Sequence, residues 1–218
     1  MSTPSAPTGT AAATRRRLDP AARRAQVVET ACAIARADGL AQVTTRAVAA
    51  RAGITAALVS HYVPSMDELV ADVFGRVVTA ELDDVAALLD GVPPARALEL
   101  LVRTLLDGDR DDVTLVWVES WALGRRNEAL AARVRDRMDA WKSLVRRVID
   151  AGVATGDLEV ADPDAAAWQV LGMIDGLNAQ SLVRWGATTD RADLVVRAVE
   201  GMLTRRGPGG TPPGPRRG

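Results

Sequence analysis

Apolar residues recur every three to four positions along most of this chain, and no stretch alternates strictly between apolar and polar. Period 3.6 predicts amphipathic helices, and the missing period of two leaves no competing strands. The first helix starts at Asp19-Pro20, an acceptor at the N-cap followed by proline at N1, and stops before Gly39. It points Ala25, Val28, Cys32 and Ala35 inward. A second helix opens at Thr44 or Thr45, whose hydroxyls can cap the free amides of its first turn, and carries Val48, Ala49 and Ala52 as its apolar stripe. Gly53 ends it as a left-handed turn residue, Ile54 plugs the turn, and Thr55 caps a short helix from Ala56 to Tyr62 with Val59 and Val63 inward.

Ser65-Met66-Asp67-Glu68 reads as a capping box, opening a long helix from Met66 to about Leu89 marked by Leu69, Val70, Val73, Phe74, Val77 and Val78. After Gly91-Val92-Pro93-Pro94, further helices are expected at about 94–106, 113–124, 127–151, 163–183 and 190–205. Gly108, Gly124, the Thr155-Gly156-Asp157 turn and Gly186 separate them, and Asp162-Pro163 repeats the cap-plus-proline start. The expected fold class is all-α with about nine helices and no internal repeat. Residues 1–18 and 206–218, rich in small residues, Gly and Pro, read as disordered tails. The expected division is a basic arm (1–18), a helix-turn-helix domain (19–66), a helical ligand-binding and dimerisation domain (67–205) and a tail (206–218). No flexible linker parts the two domains, so the helix from Met66 can carry movement between them.

Short helices joined at a glycine are common corners in all-α proteins, and the pattern also suits insertion into a major groove. The short second helix leaves Ala56, Ala57, Ser60, His61 and Tyr62 facing outward, small residues first and polar residues after. The pattern Thr45-Arg46, Val48-Ala49, Ala52-Gly53-Ile54-Thr55, Ser60-His61-Tyr62 and Leu69 resembles the TetR family of bacterial repressors, and Ser60-His61-Tyr62 is similar to its BetI-type subgroup, whose best-known members answer to choline. The motif-bearing part covers roughly residues 20 to 75, with a weaker likeness through Trp117 to Trp121 and Asp175-Gly176-Leu177. Met66 stands where the family usually has a phosphate-contacting lysine, and Val63 where it usually has phenylalanine. The resemblance implies a homodimer that binds a double-stranded DNA operator and responds to a small-molecule effector. Thr44, Thr45, Arg46, Thr55, Ala56, Ala57, Ser60, His61 and Tyr62 are then the expected DNA contacts, with Arg46 a candidate for reading guanine and the threonines for phosphate.

Charge fits this picture. The net charge is −1 over 218 residues, yet residues 1–66 carry eight arginines against three acids, +5, and the remainder is −6. A positive head suits phosphate, as Arg15-Arg16-Arg17 in the arm suits a groove, although arginines also solvate helix faces. Lys142 is the single lysine. With one cysteine, Cys32, no disulfide framework is possible, which suits a reducing cytoplasm. No apolar run reaches membrane-spanning length and no signal-peptide core begins the chain, so neither membrane nor secretion is expected.

Five tryptophans, Trp117, Trp121, Trp141, Trp168 and Trp185, accompany a single tyrosine and a single phenylalanine. Each can be plain core, or they can line a cavity whose indole faces hold a ligand. With an acid beside them, Glu119 or Asp175, an organic cation is the candidate effector, and Trp117, Glu119, Trp121, Trp168 and Asp175 are its expected contacts. The 163–183 helix is apolar on more than one face and, with the 190–205 helix, can supply a four-helix dimer contact or simple burial. Catalysis finds little support. Asp107-Gly-Asp109-Arg-Asp111-Asp112 has no opposing acidic motif and fits a loop or cap cluster; the only histidine, His61, points about 100° away from Ser60, and no Gly-rich loop follows a strand. No enzyme activity, cofactor or metal is expected. The alternative of another class is an all-α carrier or enzyme with a non-functional corner at 44–63.

Overall fold

Most of the described α-helices begin where a capping side chain sits. In the computed structural model, which describes residues 19–106, 110–186 and 189–203, Asp19 Oδ1 accepts the Ala22 amide at 2.8 Å and opens α1 (Pro20–Asp38). A 3-10 turn (Leu40–Gln42) leads to α2 (Thr45–Ala52) and α3 (Ala56–Tyr62). Thr44, not Thr45, caps α2 by accepting from Ala47, and Thr55 caps α3 by accepting from Leu58. Gly53 turns the corner at φ 64°, ψ 37°, the left-handed region that a side chain enters only with strain.

Ser65 caps α4 (Met66–Leu89), about 36 Å long at 1.5 Å per residue. It is followed by α5 (Pro94–Leu106), α6 (Asp111–Gly124), α7 (Glu128–Ala154), α8 (Pro163–Ser181) and α9 (Arg191–Met202). Asp162 and Asp190 cap the last two. Among the described residues there are nine α-helices and no strand, so the all-α expectation holds. α6 starts two residues earlier than the periodicity predicts; Asp111 and Asp112 therefore lie in its first turn, where acids favour the helix dipole. Asp107, Gly108, Asp109, Arg15-Arg16-Arg17 and the tail from 206 lie outside the described residues.

α4 and α7 pack along each other as the spine of a continuous apolar core, to which α4 gives Val73, Phe74 and Val78 and α7 gives Leu130, Val145 and Ile149. α8 lies on α7, and α5 and α9 close the far side. α1 packs on α2 and α3 of the helical corner and on α4 and α6, so it joins the corner to the rest of the bundle. Cys32 is half-buried, and burial raises its thiol pKa, the behaviour of a packing residue rather than a nucleophile. No described helix is long and apolar enough to cross a membrane.

Candidate nucleic-acid interface and interhelical cavity

Val48 and Val59 are fully buried between α2 and α3, and Arg46, Ala56, Ala57, Ser60 and His61 are exposed. Tyr62 is half-buried and meets the His61 ring edge-to-face at 5.0 Å. Thr44 and Thr55 each spend an oxygen lone pair on a cap amide at 3.2 Å, which leaves the hydroxyl hydrogen free to donate to an acceptor such as a phosphate. Arg46 makes no ion pair among the described residues, whereas Arg51 is held 3.6 Å from Asp38. Met66 and Val63 are half-buried and pack on the core.

A cavity of about 130 Å³ opens between α4, α6, α7 and α8. Trp117, Trp141 and Trp168 contribute to its lining, with Glu81 and Asp175 among its acids and Lys142 its one lysine. Glu81 sits at mid-α4, 7% exposed; burial pushes its carboxyl up, and the Arg110 guanidinium 3.6 Å away and the Trp117 Nε1–H at 3.4 Å partly offset this. Asp175 has no hydrogen bond or ion pair among the described residues, and burial alone pushes its carboxyl up to about 6. Lys142 Nζ lies 5.5 Å from the Trp168 ring centre while 3.3 Å from Asp164, so one indole face already holds a cation.

Two expected contacts lie elsewhere. Glu119 is not part of the lining: adjacent helical residues turn by about 100°, so Glu119 stands on the side of α6 opposite Trp117. Its carboxylate accepts the Ala41 amide at 2.9 Å instead. Trp121 touches Trp117 with ring centres 6.2 Å apart but lies a turn beyond the cavity, packed on the core. Glu81 is not among the expected contacts, yet the sequence carries a signal for it: a charged residue at an apolar-stripe position, four residues after Val77 and four before Val85. Among the described residues no three metal-ligating side chains cluster.

Residues 27–73 match the family model described as bacterial regulatory proteins, tetR family, and residues 94–204 match that described as BetI-type transcriptional repressor, C-terminal. No curated protein matches the chain in sequence. The fold is similar to a transcriptional regulator from Saccharomonospora viridis solved in complex with choline (24% identity, TM-score 0.76, covering 85% of this chain and 100% of that one). It is also similar to a TetR transcription regulator from Haloarcula marismortui (19%, TM-score 0.70, 84% and 99%) and to a regulator from Pseudomonas aeruginosa (22%, TM-score 0.66, 85% and 90%).

Proposed function

The chain belongs to the TetR family of bacterial transcriptional regulators, with a BetI-type C-terminal part, and on that premise we propose that it is a cytoplasmic homodimeric repressor that leaves its operator when a small organic cation enters the cavity. As a member it is a DNA-binding regulator and not an enzyme, which removes the ground for the carrier or enzyme reading. The observation that carries the ligand is the unpaired Asp175 carboxylate in a cavity with three indoles. Ring faces attract a cation and the carboxylate balances its charge, a pairing that suits quaternary or protonated amines. The choline held by the Saccharomonospora viridis regulator is of that class.

In this reading residues 19–66 form the reading head and 67–205 the ligand and dimer domain. α3 enters the major groove, Ser60 and His61 face base edges or phosphates, Tyr62 faces the backbone, and Arg46 reads guanine. Thr44, Thr45 and Thr55 meet phosphate, and Ala56 and Ala57 let the helix approach closely. The dimer surface is the outer face of α8 with α9. Val183, Trp185 and Leu194, three of the eight exposed large apolar side chains among the described residues, lie on α9 or in the turn that leads to it. Two heads must match half-sites roughly 34–36 Å apart, so a tilt of α4 by a few ångströms releases DNA.

The test is a gel shift on the DNA upstream of the chain's own gene, with choline as the probe ligand. Binding should weaken steeply with salt. Arg46→Ala and His61→Ala should each weaken it by about 1–3 kcal/mol, and choline should release the parent protein. Salt-insensitive or absent binding, or full affinity in both variants, overturns the assignment.

A further inference from the structure

Four ionisable side chains line the cavity, Glu81, Asp139, Lys142 and Asp175, and two of them are matched. Glu81 pairs with Arg110 at 3.6 Å and accepts the Trp117 indole N–H at 3.4 Å. Lys142 lies 3.3 Å from Asp164 and over the Trp168 ring. The Asp139 backbone carbonyl accepts from Ser143, but neither its carboxylate nor that of Asp175 has a hydrogen bond or ion pair among the described residues. Asp139 stands exposed at the rim, and Asp175 is half-buried. Their spacing follows from the register of α7 and α8. Lys142 meets Trp168 while Arg146 meets Asp164 at 3.5 Å, so the two helices run antiparallel. That register sets Asp139 level with Leu171, itself part of the lining. Asp175 is four residues further along α8, about 6 Å at 1.5 Å per residue.

Resting on the cation reading above, we propose that the effector is an aliphatic diamine, which sets one ammonium on Asp175 and the other on Asp139. An extended chain covers about 1.2 Å per bond, so the five bonds between the nitrogens of a four-carbon diamine span about 6 Å. Its six heavy atoms suit the volume: cavities of about 150 Å³ accept benzene, and this one is about 130 Å³. Each ammonium forms a charge-assisted hydrogen bond, stronger than one between neutral groups. The methylenes between them replace water along Trp141, Leu171 and Ile174 of the lining. Lys142 does not serve as the second cation, because Asp164 and the Trp168 ring already hold its ammonium. A single-headed cation such as choline satisfies Asp175 and leaves the Asp139 carboxylate to water.

Calorimetry on the full chain, with butane-1,4-diamine, butylamine and choline as probes, tests the second subsite. Wild type should bind the diamine about tenfold tighter than butylamine, where two equivalent ends alone give about twofold. Asp139→Asn should bring that ratio down to about twofold, its statistical value. Asp136→Asn, exposed on the same helix and outside the lining, should leave the ratio as in wild type, which separates a local contact from the general field of the surface. Because each ratio is taken within one protein, a loss of folded material does not alter it. A ratio of about two in wild type, or an equal ratio in Asp139→Asn and wild type, overturns the proposal. If wild type binds choline and butylamine but gains nothing from the second amine, the diamine fails and the cation reading stands. Binding of none of the three overturns both.

Discussion

The carboxylate of Glu119 occupies the space a side chain would need on Gly39: a Cβ added there would stand 2.6 Å from Glu119 Oε2. Gly39 also sits at φ 96°, a backbone region closed to most side chains, so the backbone itself demands glycine and an added Cβ would in addition displace the Glu119 carboxylate. The turn that leads from α1 into α2 is thereby fitted to a residue eighty positions away in sequence.

Gly39→Ala should therefore destabilise the protein by about 1–3 kcal/mol, through backbone strain together with the clash. Chemical denaturation of the single variants and of the pair with Glu119→Ala separates the two parts. The double variant should recover the clash and retain the strain. An equal cost of Gly39→Ala with and without Glu119 would show that the contact is not tight.

Asp175 gives opposite pH responses for stability and ligand binding. Its folded carboxyl keeps a proton up to about pH 6, well above the ordinary carboxylate range, so folding takes up a proton in between. Its contribution to stability accordingly rises as pH falls from about 7 toward 4. Cation affinity should fall over the same interval, by up to about tenfold per pH unit below about 6. Glu81, Asp139 and Lys142 share the cavity lining, so the comparison to make is wild type against Asp175→Asn by calorimetry. A pH-independent difference between the two would remove Asp175 from the site.

The tryptophans should divide by exposure. Trp168 is 65% exposed, so Trp168→Ala should leave the melting temperature nearly unchanged yet weaken choline binding by about 1–2 kcal/mol. Trp141 is 5% exposed, and Trp141→Ala should cost about 3–5 kcal/mol of stability. Unchanged ligand affinity in Trp168→Ala would reduce that ring to a surface residue.

Gly176 on α8 has nothing within 4 Å of where a Cβ would be. Gly176→Arg should thus fold with full helicity and a slightly firmer helix, since glycine is a poor helix former by about 1 kcal/mol. In a dimer joined through α8 it should force the subunits apart. Light scattering should then report a monomer where the parent protein is a dimer; a dimer in both would move the interface elsewhere.

Much of this fold could be read from the chain because its helix starts are written in short-range chemistry: Asp19-Pro20, Ser65 with Glu68, and Asp162-Pro163 each cap the predicted helix. The corner at Gly53 was equally local. The cavity was legible only in part. Trp117, Trp168 and Asp175 could be proposed because indoles and acids are conspicuous, and all three contribute to the lining. Glu119 could not be placed, since spacing along α6 tells which residues share a face but not which face meets the head. Glu81 hid in a helix otherwise read as core, and its partner Arg110 comes from a different part of the sequence.

Leaving Asp175 without a partner sets robustness against responsiveness at a single side chain. On the cation reading proposed above, asparagine there keeps the shape and drops the uncompensated charge, so the hardier molecule would also be the deaf one, held on its operator even with the ligand present. Any search that rewards heat tolerance alone will tend to find that change first and produce a switch stuck in its off position.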